Sequence, residues 1–142
     1  MTLNEYFKNP ARFKNKIIII SAKDEASRYV ANFTAASALG LGMKMKFRAS
    51  YVAVVDMKRD FLYERSSGGN IECSYKVENK YIDIVSAGFE SGNFSSIRVG
   101  DSEYSHNATG LNFVILKNKS LRLVDSFFAD SFLDGTLTVK RI

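Results

Sequence analysis

The chain has 142 residues, 46% hydrophobic and 25% charged with one proline, a composition that fits one folded domain with its own core and excludes a disordered tail. Its 20 lysines and arginines outnumber 15 acids for a net charge of +5, but they are spread along the chain, which favours a solubility role over nucleic-acid binding. Cys73 is the only cysteine, which excludes an intrachain disulfide and a thiolate zinc site.

Thr2 and Glu5 have capping-box spacing and predict a short helix that Pro10 stops. The run IIII at 17–20 is β-branched throughout and predicts a strand buried on both faces, in the middle of a sheet. It is the longest apolar run and far short of the ~20 residues of a membrane helix. The N-terminus has no charged-then-apolar leader, so the chain, if complete, is expected to stay inside its cell and off the membrane.

Ser21 and Asp24 are positioned to cap a main helix over 24–39, with Ala26, Tyr29, Val30, Phe33 and Ser37 on one face and Gly40 and Gly42 at its end. From Met43 the period becomes two: Met43, Met45 and Phe47 alternate with Lys44, Lys46 and Arg48 and run into YVAVV at 51–55, predicting one long strand. SSGGN at 66–70 reads as a linker. After it come IECSYKV, YIDIV, SIRV, LNFVIL, LRLVDSF and TLTVKRI, short strands separated by turn-rich stretches. Ile71, Cys73, Tyr75 and Val77 share one face. The expected class is α+β: two antiparallel sheets, a main helix and short helices, all in a single domain over 1–142.

In SAGFESGNFSSIRVG, at 86–100, Gly88 and Gly92 are expected to take positive φ, Asn93 to close the turn through its side chain, and Gly110 to let backbones approach. No catalytic pair, metal cluster or cofactor motif is read. His106 lies in a polar loop without a second histidine and Cys73 on an apolar face, so the domain is expected to be non-catalytic. Lys44, Lys46 and Arg48, with Tyr51 nearby, are too few charges for a nucleic-acid site and read as a solvated strand face. Four Asn-x-Ser/Thr triplets, at Asn32, Asn93, Asn107 and Asn118, read as chance.

SAGFESGNFSSIRV, YSHNATGLNFVIL and VDSFFAD resemble the first part of the interleukin-like EMT inducer and PANDER domain, the GG domain. IIIISAKDEAS, a segment closing in ALGLG, and MKFRASYVAVV resemble its second part. The order is reversed, with 1–65 matching the family's usual C-terminal half and 71–142 its N-terminal half, so the chain resembles a circular permutant. The resemblance implies a PANDER-like sandwich and a binding role, as in the glycan-binding stem domain of protein O-mannose N-acetylglucosaminyltransferase, and it extends to domains of phage tail fibres.

Of that stem's three sugar contacts, an Asp and an Arg match Asp24 and Arg48, while the third position, an Arg in the stem, is Thr109 here. A carboxylate and a guanidinium together accept from and donate to vicinal hydroxyls. The implied partner is a glycan or, in a connector domain, another protein. The alternative role for Asp24 and Arg48 is an internal brace, with Asp24 capping a helix and Arg48 pairing with it or with Glu25.

Overall fold

The computed structural model describes residues 1–142, and strands dominate it. Helix α1 spans Leu3–Tyr6 and starts in a complete capping box: the Glu5 amide donates to Thr2 Oγ1 at 3.2 Å and the Thr2 amide to Glu5 Oε1 at 3.0 Å. A short 3-10 turn, Pro10–Phe13, leads into β1, Lys16–Asp24. The four isoleucines of β1 are at most 1% exposed, because β1 is covered on both faces and paired along both edges.

The other strands are β2 (Ser50–Asp56), β3 (Phe61–Ser67), β4 (Ile71–Val77), β5 (Lys80–Gly88), β6 (Phe94–Val99), β7 (Ser102–Glu103), β8 (Gly110–Lys117) and β9 (Leu123–Ala129). The pairing runs β3-β2-β1-β8-β9 in one half and β4-β5-β6-β7 in the other, antiparallel throughout each. A parallel contact, Lys23 with Ala87 and Asp24 with Gly88, joins them into one mixed nine-stranded sheet rather than two separate sheets. The sheet folds back on itself there. Ile17, Ile19, Val52 and Val54 pack between the halves against Ile71, Ile82, Ile84 and Ile97. On the outer face of β1, Ile18 and Ile20 share a second core with α1 and an aromatic cluster in which the Phe113 and Phe127 rings stack at 4.9 Å.

The expected main helix over 24–39 does not form. Its residues make two 3-10 segments, Val30–Asn32 and Thr34–Leu39. Val30, Phe33, Ala36 and Leu39 are all buried and spaced by three, the period of a 3-10 turn rather than of an α-helix. Asn4 also donates to the Asn32 carbonyl at 2.8 Å and accepts from the Ala35 amide at 2.9 Å, taking backbone groups an α-helical ladder would use. Asp24 caps nothing: it ends β1 at φ 64°. Only Gly40 keeps its assigned role, closing the segment in the left-handed region at φ 85°.

The long strand expected from Met43 forms only in its YVAVV part, as β2, and the stretch before it is not extended. Met43 at φ 51° and Arg48 at φ 58° turn the chain out of extended geometry, so Lys44, Lys46 and Arg48 share no strand face. The Gly42 and Met43 amides donate instead to the Glu64 carboxylate at 2.9 and 2.8 Å. Tyr51 is fully buried with its hydroxyl on Glu64 at 2.6 Å, so it offers no stacking surface. TLTVKRI forms no continuous strand, but its isolated bridges, Thr2 with Thr138 and Phe128 with Lys140, tie the C-terminus to the N-terminus and to β9.

Candidate functional site

The C-terminal end of β1 is a corner where four segments meet. Asp24 pairs with Gly88 of β5, and its carbonyl accepts from the Phe89 amide at 3.0 Å. Lys23 pairs with Gly110, the first residue of β8, which brings Thr109 alongside. The Thr109 hydroxyl donates to Asp24 Oδ2 at 3.1 Å. Gly88 meets the segment before β2 so closely that a Cβ there would lie 2.0 Å from the Arg48 carbonyl oxygen.

Glu25 turns inward and is 3% exposed. Its Oε1 accepts from the Ser27 hydroxyl at 2.6 Å, the Ser27 amide at 3.1 Å and the Arg48 amide at 2.9 Å, which holds Arg48 in its left-handed backbone. Burial pushes the Glu25 carboxyl up, but the bonds from Arg48 and Ser27 outweigh it and hold it below its ordinary value. Glu25 Oε2 is buried without a partner.

The Arg48 side chain points elsewhere. Its Nη1 pairs with Glu90 Oε1 at 3.1 Å, and the guanidinium carbon lies 4.2 Å from the Phe89 ring centre and 4.8 Å from that of Phe47. Asp24 and Arg48 form neither a hydrogen bond nor an ion pair with each other. The brace therefore has a different form from the one expected: Glu25 takes the Arg48 backbone, Glu90 takes its guanidinium, and Asp24 takes Thr109. Phe47 is 67% exposed and Phe89 48%, so the stacked arginine lies on an open aromatic surface. None of the five main clefts of the molecule is lined by Asp24, Arg48 or Thr109. An open groove of about 600 Å³ adjoins the corner, lined by Phe47 and Ala49 with Lys44, Lys46 and Ser66.

The turn residues divide the work differently from expectation. Gly92 and Asn93 have positive φ, 128° and 54°, whereas Gly88 does not and instead lacks room for a side chain. Asn93 closes the turn through its backbone amide, which donates to the Gly88 carbonyl at 2.9 Å, and not through its side chain. A Cβ on Gly110 would lie 2.4 Å from the Ala129 carbonyl oxygen. The two ring nitrogens of His106 lie 3.2 Å from the Ile142 oxygen and 3.0 Å from the Ser126 carbonyl oxygen, and burial pushes the Cys73 thiol up. The sequence placed Phe47 with Met43 and Met45 on one face of a strand rather than in a site, and did not single out Phe89 or Glu90. The available signal was a phenylalanine inside a glycine turn and another next to an arginine outside any packed element.

No protein-family model matches the chain, and no curated protein or solved structure does either. No helix is long and apolar enough to cross a membrane.

Proposed function

We propose that the domain is a non-catalytic glycan-binding module whose contact surface is the corner built by Phe47, Arg48, Phe89 and Glu90 beside Asp24 and Thr109. The observation that carries this reading is the guanidinium lying over two exposed phenylalanine rings, with its carbon 4.8 and 4.2 Å from their centres. Exposed rings offer flat apolar faces to sugar C–H groups, while a stacked, pre-oriented guanidinium, a carboxylate and a hydroxyl supply donors and acceptors for vicinal hydroxyls. The corner is open and its adjoining groove runs past Phe47, a form that suits weak contact with an extended saccharide chain, strengthened by repetition, better than capture of one enclosed sugar.

The framework is the permuted GG-domain resemblance and its two-layered α+β sandwich. Two features support the permuted order. The Val139 amide donates to the Met1 carbonyl at 2.8 Å and the Leu3 amide to that of Leu137 at 2.9 Å, so the ends meet as permutation requires. Phe13, just before β1, and Phe127, near the end of β9, pack against the same Tyr6 and Phe7 rings.

The second reading is a connector that meets a protein partner in a surface or tail-fibre assembly. Exposed phenylalanines around an arginine favour it, because aromatic and arginine side chains dominate protein contact energies.

Affinity electrophoresis through polysaccharide-containing gels, run beside thermal melting, separates these roles. Arg48→Ala is expected to abolish retardation and leave the melting temperature nearly unchanged, since its partner Glu90 is 73% exposed and such pairs contribute about 0–1 kcal/mol. Melting several degrees lower with retardation retained assigns Arg48 to bracing alone.

A further inference from the structure

At the other end of β1 lies a second polar site. Lys16 opens β1 and Asp24 closes it, so the two ends are separated by roughly 26 Å of extended chain. A cleft of about 590 Å³ with no hydrophobic lining opens there between the start of β1, the β4–β5 hairpin and the turn after β8. Lys16, Lys80, Lys117 and Lys119 line it, with Glu78 as its only acid.

Lys16 and Lys117 are direct cross-strand partners, a like-charge opposition that destabilises a sheet unless something neutralises it. Neither lysine forms an ion pair within the protein: the three ion pairs of the molecule involve Arg48, Arg59 and Arg141. Lys80 Nζ donates to the Ser120 carbonyl at 2.9 Å and Lys16 Nζ to that of Arg12 at 3.2 Å, contacts that fix ammonium groups without cancelling their charge. Asn118, between Lys117 and Lys119, lines the same cleft and is 6% exposed. Its amide nitrogen is buried and has no acceptor within the protein.

We propose that this cleft binds a tetrahedral oxyanion, a phosphate or sulfate group, between Lys16, Lys80 and Lys117, with the Asn118 side-chain amide as an additional donor. The inference is independent of the glycan reading, because it uses none of the corner residues. Such a group is available either as a free anion or as an ester on a larger ligand, and the chemistry in the cleft is the same.

The test is titration of the ¹⁵N-labelled protein with sodium phosphate, and separately with sodium sulfate, at ionic strength held constant with chloride. The amides of 78–80 and 117–120 and the Asn118 side-chain amide are expected to shift along a saturating curve. Lys80→Met and Lys117→Met, which keep their aliphatic stems, should each weaken binding by about tenfold, while Arg48→Ala leaves it unchanged. A parallel titration with a sugar phosphate distinguishes the sources, since tighter binding of the ester marks a substituent site and equal binding a free-anion site. Shifts that do not saturate, that chloride alone reproduces, or that persist with the same affinity in the double lysine variant overturn the proposal.

Discussion

A Cβ on Gly88 would lie 2.0 Å from the Arg48 carbonyl oxygen and one on Gly110 2.4 Å from that of Ala129, so at both positions another backbone occupies the space a side chain needs. Neither neighbour is the free end of a flexible side chain. Gly88→Ala is therefore expected to cost about 2–4 kcal/mol in urea unfolding, because relief requires moving the β1 corner itself. Gly68, with nothing within 4 Å of a built Cβ, is the control and should accept alanine within about 0.5 kcal/mol. A near-neutral Gly88→Ala contradicts the close approach. The importance of these glycines was legible in the sequence, but their geometry was not. Conformational freedom and lack of room both select glycine, and only the position of Arg48 decides between them at Gly88. Asp24, Arg48 and Thr109 were named as site residues through the family resemblance alone, and the fold places all three near the corner at the end of β1. Their partners were not legible, because Glu90 and Phe89 reach Arg48 through a turn whose course depends on the β1–β5 pairing.

At the scale of elements, the segment before β2 is held by side chains rather than by a ladder. Glu64 of edge strand β3 accepts from the Gly42 and Met43 amides and from the buried Tyr51 hydroxyl. Burial works to raise its carboxyl, but these bonds outweigh it and hold the group below its ordinary 4.5. A lowered folded-state pKa contributes stability that is present above pH 4.5 and lost as pH falls through the folded value. Glu64→Gln should thus be less stable than the parent by about 1 kcal/mol at pH 7, a modest figure because the carboxylate faces solvent, and the gap should close by pH 3. Denaturant unfolding at the two pH values checks this, and a gap that is unchanged in acid contradicts it. β3 had no clear sequence signature, since most of FLYERSS is exposed and an edge strand need not alternate. The strand IIII and the alternation in IECSYKV were legible because burial imposes those patterns directly. The stretch 24–39 misled for the opposite reason. Four apolar residues spaced by three fit an α-helical face nearly as well as a 3-10 one, and contacts from Asn4 decide the outcome.

For the whole molecule, the two halves of the sheet are joined by the short parallel contact at 23–24, by the core packed between them, and by two chain crossings, the exposed turn between β3 and β4 and the segment between β7 and β8. The chain ends already pair through Met1, Leu3, Leu137 and Val139. Joining them with a short linker and reopening the chain between Gly68 and Gly69 should yield a folded protein with the parent's unfolding cooperativity. Failure to fold would mean that the SSGGN turn is needed for assembly, against the permuted order proposed here. The corner at one end of β1 and the lysine cleft at the other make separate demands on a ligand, and a glycan array addresses both. Multivalent parent protein should bind a subset of saccharides, Phe89→Ala and Arg48→Ala should lose that binding, and the Lys80→Met/Lys117→Met variant should keep it on unsulfated members. Absence of binding by the parent, or binding that survives both corner substitutions, would contradict a glycan surface at Phe47, Arg48 and Phe89.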